Sequence, residues 1–135
     1  MRVAFDSDVL IYAASPKNML GQKVQSLLLD ETLNGNRVGS ALLLPELLIK
    51  PTKIQDAAEL QALNAGLTRL ELVPISLAVA TSAVSMGVTY GLKTPDALHL
   101  ASAVNAGANT FLTNNRKDFK KERVLELQIL YPDDL

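Results

Sequence analysis

The chain has 135 residues, the size of one domain, with 13 basic against 14 acidic residues and a formal charge of −1. At 48% apolar residues it can bury a core without a metal or disulfide, and the absence of cysteine excludes thiolate metal sites, disulfides and a cysteine nucleophile. No apolar run is long enough to span a bilayer, Asp6 and Asp8 interrupt any signal-peptide core, and the near-neutral charge excludes nucleic-acid binding by bulk charge alone. These totals fit a cytoplasmic protein without membrane association, and any nucleic-acid contact must be local or catalytic.

Val3 to Phe5 is apolar on both faces, as in the centre of a parallel sheet. Asp6 falls where that strand ends, and Asp8 where a short helix to Ala14 begins, with Ser15-Pro16 as its stop. The two acids are either turn and cap residues or part of a site. Leu20, Val24, Leu27 and Leu28 share a helical face, with Asn34-Gly35 as the stop. Arg37 to Ser40 is a brief strand. Ser40 can cap a leucine-rich helix from about Leu42 to Ile49, in which Glu46 is the only acid. Glu46 either faces solvent or needs a partner, because a buried carboxylate is costly alone. Pro51 is expected to break the chain. Ala57, Leu60, Leu63 and Leu67 mark the next helix, and Leu70 to Pro74 a short strand.

Ser76 caps an apolar helix from Leu77 to about Val88, closed by Tyr90-Gly91. So few charges predict that it is buried or faces another subunit. Thr94, Pro95 and Asp96 read as cap, first helical position and first turn of a helix that lies inside and ends at Gly107. Thr110 to Leu112 is a strand ending in Thr113-Asn114-Asn115. The basic stretch Arg116 to Arg123 follows, either an RNA-phosphate contact or a solvated helix face with i, i+4 pairing. Gln128 to Tyr131 is the last strand.

This alternation predicts a three-layer α/β/α sandwich: a central parallel sheet of four or five strands, flanked by helices, in one domain over residues 1–135. In that architecture strand C-termini and helix N-termini share one edge, where ligands bind. Asp6, Asp8, Glu46, Asp96 and Thr113 to Asn115 all fall there. Carboxylates gathered at one edge repel one another, and a divalent cation relieves the repulsion. Mg²⁺ takes oxygen ligands, often one or two carboxylates with waters and substrate phosphates. Asp6 and Asp96 are the expected direct ligands. Glu46, Asp8 and Asp118 would bind directly, through water, or hold a second ion. Thr113 and Asn115 would supply hydrogen bonds.

Asp6-Ser7-Asp8, Pro45-Glu46-Leu47-Leu48, Thr94 to Ala101 and Thr113 to Phe119 together resemble the PIN-domain ribonucleases, and among them the VapC-type toxins of toxin–antitoxin pairs. The resemblance runs over nearly the whole chain, and the segment around Asp96 is its most specific part. It implies a Mg²⁺- or Mn²⁺-dependent endoribonuclease acting on RNA, usually a homodimer, silenced by a cognate antitoxin protein. The implied catalytic acids are Asp6, Glu46, Asp96 and Asp118, with Ser7, Asp8, Thr113, Asn115 and Arg116 in support. Two positions depart from the family pattern. Asp8 stands where Asn is commoner, and Asn115 where many members carry a fourth Asp, a role Asp118 takes in others.

His99, the single histidine, reads as a packed or interface residue in an apolar helix. No nucleophile motif supports a triad on it, and the seven glycines form no phosphate loop. Two other readings stay open. Asp-x-Asp-x-Val after a strand also resembles haloacid-dehalogenase-type phosphatases, with Asp6 as nucleophile and Asp8 as general acid, which leaves Glu46 and Asp96 unexplained. A PIN-like binding module without activity is the other.

Overall fold

The first strand, β1 (Val3–Phe5), is buried along its whole length and paired on both edges. The computed structural model describes residues 1–15 and 17–135. β1 lies between β2 (Arg37–Ser40) and β4 (Thr110–Leu112), with β3 (Glu71–Val73) outside β2 and β5 (Gln128–Leu130) outside β4. Every pairing is parallel, in the order β3-β2-β1-β4-β5, with Val3 beside both Arg37 and Thr110. The chain steps outward from β1 to β3 and then restarts on the other side of β1. The order therefore reverses between β1 and β4, the switch point at which open α/β sheets bind ligands.

Alternation along β1 feeds both faces. Val3 and Phe5 pack against α1 (Ser7–Ala14), α2 (Met19–Leu29), α3 (Leu43–Lys53) and α4 (Ala57–Leu67). Ala4 packs against α5 (Leu77–Tyr90) and α6 (Thr94–Asn105). Two cores separated by a five-stranded sheet make the expected three layers. Burial of Phe5, Phe111 and Phe119 contributes about 1.5–3 kcal/mol each. Among the described residues no helix is long and apolar enough to cross a membrane.

Several boundaries differ from the sequence reading. The stop expected at Pro16 lies outside the described residues; Ser15 caps α1, its N–H donating to the Tyr12 carbonyl. α2 ends at Leu29, before Asn34-Gly35, because Asp30 starts a 3-10 turn (Glu31–Leu33) by accepting from the Thr32 N–H. Pro51 does not break α3. It is buried two residues before the end, and the last turn is held by Ile54 N–H to Lys50 O and Asp56 N–H to Pro51 O. Lys93, not Thr94, occupies the cap of α6, with no side-chain cap bond. Residues 116–123 form turns, not a helix, so the i, i+4 pairing reading fails.

α5 is buried on one face only. Val79, Ala83, Met86 and Tyr90 face the core, whereas Leu77, Val84 and Val88 are 85%, 69% and 82% exposed. Of the two readings of α5, burial holds for one face only, and the outer face is an apolar surface. Gly91 ends α5 in the left-handed region at φ 65°, where a side chain would be strained.

Candidate active site

Asp6 sits at the end of β1 and caps α1: its Oδ1 accepts from the Ser7 N–H at 2.7 Å. Its Oδ2 accepts from the Thr113 hydroxyl, also at 2.7 Å, at the end of β4. Both neighbours of the switch point thus fix one buried carboxylate. The capping reading of Asp6 holds, and its second oxygen joins it to the next strand. Thr113 in turn accepts from the Asn115 N–H at 3.0 Å, which shapes the loop after β4.

Asp8, in the first turn of α1, accepts from the Asn114 N–H at 3.1 Å. Burial, then the Asp6 charge, pushes its carboxyl up to about 6. Asp96 lies in the first turn of α6. Burial, then the charges of Asp6 and Asp118, pushes it likewise to about 6, with His99 opposing. Asp118 is held by Asn115 from both sides: Asn115 Nδ2 donates to its Oδ2 at 3.0 Å, and the Asp118 N–H donates to Asn115 Oδ1 at 3.3 Å. Glu46, in the first turn of α3, accepts from His99 Nε2 of α6.

Asp6, Asp8, Asp96, Asp118 and Glu46 therefore gather at one sheet edge from separate segments, with Ser7, Thr113 and Asn115 among them. Arg116 is turned aside: its guanidinium pairs with Asp133 and lies 4.6 Å from the Tyr131 ring centroid. Lys121 pairs with Asp134 and covers the same ring at 4.9 Å. Three further residues enter the picture. Asn114 holds Asp8 and also donates to the Tyr12 hydroxyl at 3.3 Å. His99 is packed, as its apolar helix implies, but it is also the partner of Glu46. No local pattern could reveal that contact, which joins residues 53 apart. The lone acid in a run of leucines was the only hint.

The donor set suits a hard, oxygen-preferring cation. Every candidate ligand is a carboxylate, the chain has no cysteine, and its one histidine is engaged with Glu46. Among the described residues, no three His, Asp or Glu side chains close around one point as a ready cage. Two partly buried carboxyls with raised proton affinity at one sheet edge make that edge the candidate functional site.

An open parallel α/β sheet with acids converging at its switch point defines the class: an α/β protein with an acidic site at the strand ends. The chain belongs to the PIN domain family, whose model matches residues 3–124. A chain of a toxin–antitoxin complex from Klebsiella pneumoniae is similar at 23% identity and a TM-score of 0.75, covering 98% of this chain and 99% of that one. A chain of VapBC2 from Rickettsia felis, bound to a DNA fragment from its promoter, is similar at 22% identity and a TM-score of 0.75, covering 97% and 98%. DNA-bound VapBC from Salmonella typhimurium contributes a third likeness at 17% identity and a TM-score of 0.77, covering 98% of each chain. These likenesses establish a VapC-like fold. No curated protein matches the chain significantly.

Proposed function

We propose that this chain is a Mg²⁺- or Mn²⁺-dependent endoribonuclease and the toxin of a toxin–antitoxin pair. The observation that carries the reading is the gathering of Asp6, Asp96, Glu46 and Asp118 at the switch point, with Asp6 fixed by both Ser7 and Thr113. Asp6 and Asp96 would hold the ion. When bound, it supplies the positive charge that a phosphodiester and several carboxylates need at close quarters. Thr113 and the Ser7 N–H keep the Asp6 oxygens oriented, so no reorganisation is needed when the ion or RNA arrives. Glu46 Oε1 is taken by His99, which leaves Oε2 to accept a proton from the attacking water. Asp118, steadied by Asn115 and close enough to Asp96 to raise its carboxyl, would bind the ion directly or through water. The exposed Lys117 and Lys120, on the turn beyond Asn115, would meet RNA phosphates.

Family membership excludes the phosphatase alternative. The inactive binding module draws on Asn115, an amide among acids. Metal binding without cleavage of any RNA is its signature.

The exposed face of α5 supports a homodimer, and the three structural neighbours, each named as a toxin–antitoxin or VapBC complex, support an antitoxin partner. Cleavage of RNA by purified chain is the test of the nuclease reading. Asp6→Asn and Asp96→Asn should each abolish it while circular dichroism stays unchanged. Full activity in both variants refutes the site. Failure to co-purify with the product of an adjacent small gene counts against the antitoxin.

A further inference from the structure

His99 lies one turn beyond Asp96 on α6 and is 3% exposed. Its Nε2 meets Glu46 Oε1 across the gap between α6 and α3, and the Glu46 side chain keeps 28% exposure. The pair therefore runs from the buried interior to the open acidic edge. The Glu46 carboxylate has no other hydrogen-bond partner among the described residues, whereas those of Asp6, Asp8 and Asp118 are each held by backbone or side-chain donors of the loop after β4 or of α1. Two atoms behind the pair are buried without a partner among the described residues: His99 Nδ1 and Ser102 Oγ. Ser102 follows His99 by three positions, on the same face of α6, and is 1% exposed. Neither atom bonds the other, so the Nε2 contact with Glu46 is the ring's one hydrogen bond among the described residues.

Resting on the nuclease reading, we propose that His99 is a positioning residue: it holds the Glu46 carboxylate at the acidic edge through Nε2. The arrangement has a physical rationale. A carboxylate on a long side chain at a leucine-rich helix start loses rotamer freedom only if a rigid donor fixes it. A ring packed in the core, 3% exposed, is such a donor, its orientation set by the packing around it. His99 touches neither substrate nor the attacking water. It acts through Glu46.

The experiment compares His99→Leu, His99→Gln, Glu46→Gln and the double variant His99→Leu/Glu46→Gln. His99→Leu removes the donor. His99→Gln keeps an amide N–H near the Nε2 position, and it also shows whether a polar side chain of this length preserves the fold if the leucine does not. In RNA cleavage, His99→Leu should lower kcat about 10–100-fold with KM within about twofold. His99→Gln should recover to within about threefold of wild type, and the double variant should be no worse than Glu46→Gln alone. A folded His99→Leu with wild-type kcat, or a double variant showing the product of both losses, overturns the proposal. A second readout needs no activity. With one histidine in the chain, its imidazole N–H signals are unambiguous by NMR. A downfield N–H resonance protected from exchange should be present in the wild type, moved upfield in Glu46→Gln, whose amide oxygen is a weaker acceptor, lost in Glu46→Ala and retained in Asp118→Asn. Its absence in the wild type overturns the contact. Wild type that shows the resonance but cleaves no RNA fails the nuclease reading and not this bond.

Discussion

Replacing Asp96 by Asn should make the metal-free chain more stable at pH 7.5 while abolishing the proposed cleavage. The Asp96 carboxyl is raised from 3.8 to about 6, first by burial and then by Asp6 and Asp118. A group whose folded pKa exceeds its unfolded value binds more protons in the folded state, so stability falls as pH rises between the two values. The penalty is absent below about pH 4, grows to about pH 6, and is constant above. Roughly two units at 1.36 kcal/mol each set a ceiling of about 3 kcal/mol. Partial exposure and the coupling among three acids reduce this to about 1–2 kcal/mol. Asn gives up a favourable carboxylate at the N-terminus of α6, worth about 0.3–1 kcal/mol. The net gain, about 1 kcal/mol, raises Tm by about 3–6 °C at this chain length. Thermal melts in EDTA at pH 7.5 and pH 4 read it directly. Saturating Mg²⁺ should invert the order, since ligand at about 100 times Kd contributes about 2.7 kcal/mol to the wild type alone. A variant less stable than wild type in EDTA at pH 7.5, or a gain that persists at pH 4, would refute the electrostatic reasoning.

Thr113→Val strips the buried Asp6 carboxylate of a charge-assisted hydrogen bond and should cost about 1.5–3 kcal/mol in urea unfolding, with cleavage lost as well. Gly39→Ala, in β2, would set a Cβ 2.6 Å from Leu43 Cδ1 and 3.0 Å from Leu70 Cδ1. That crowding at the start of α3 should cost about 1–3 kcal/mol and lower cleavage by displacing Glu46. Charging the outer face of α5 with Val84→Lys and Val88→Glu should leave the Tm within a few degrees and convert a dimer to a monomer by light scattering. A wild-type monomer at micromolar concentration removes the dimer reading instead.

The legible parts of this fold are those in which local chemistry and tertiary packing agree. β1 was readable because a strand buried on both faces has no polar alternation. The start of α6 was readable because Pro95 and Asp96 suit a first turn, although the cap itself moved to Lys93. Local signals failed where neighbours outweighed them. Pro51 lacks the N–H that would reach the Leu47 carbonyl, but burial of its ring and the bonds of Ile54 and Asp56 that close the last turn offset that single loss. Asn34-Gly35 is a good stop signal, but Asp30 takes the end of α2 first through its own side chain. Residues 116–123 carry helix-forming lysines, yet Arg116 and Lys121 are drawn onto Tyr131 and the terminal aspartates. At the site, the convergence of Asp6, Glu46 and Asp96 followed from sheet topology. The His99–Glu46 bond did not, because it depends on where α3 and α6 meet in space.

The most direct measurement is cleavage of a labelled RNA by the wild-type chain while Mn²⁺ is titrated against EDTA and bound metal is counted in the same samples. The account predicts a cleavage rate that rises in step with metal occupancy, falls to background in excess EDTA, and returns when Mn²⁺ is restored. Cleavage that continues at full rate after the metal has been stripped would contradict it.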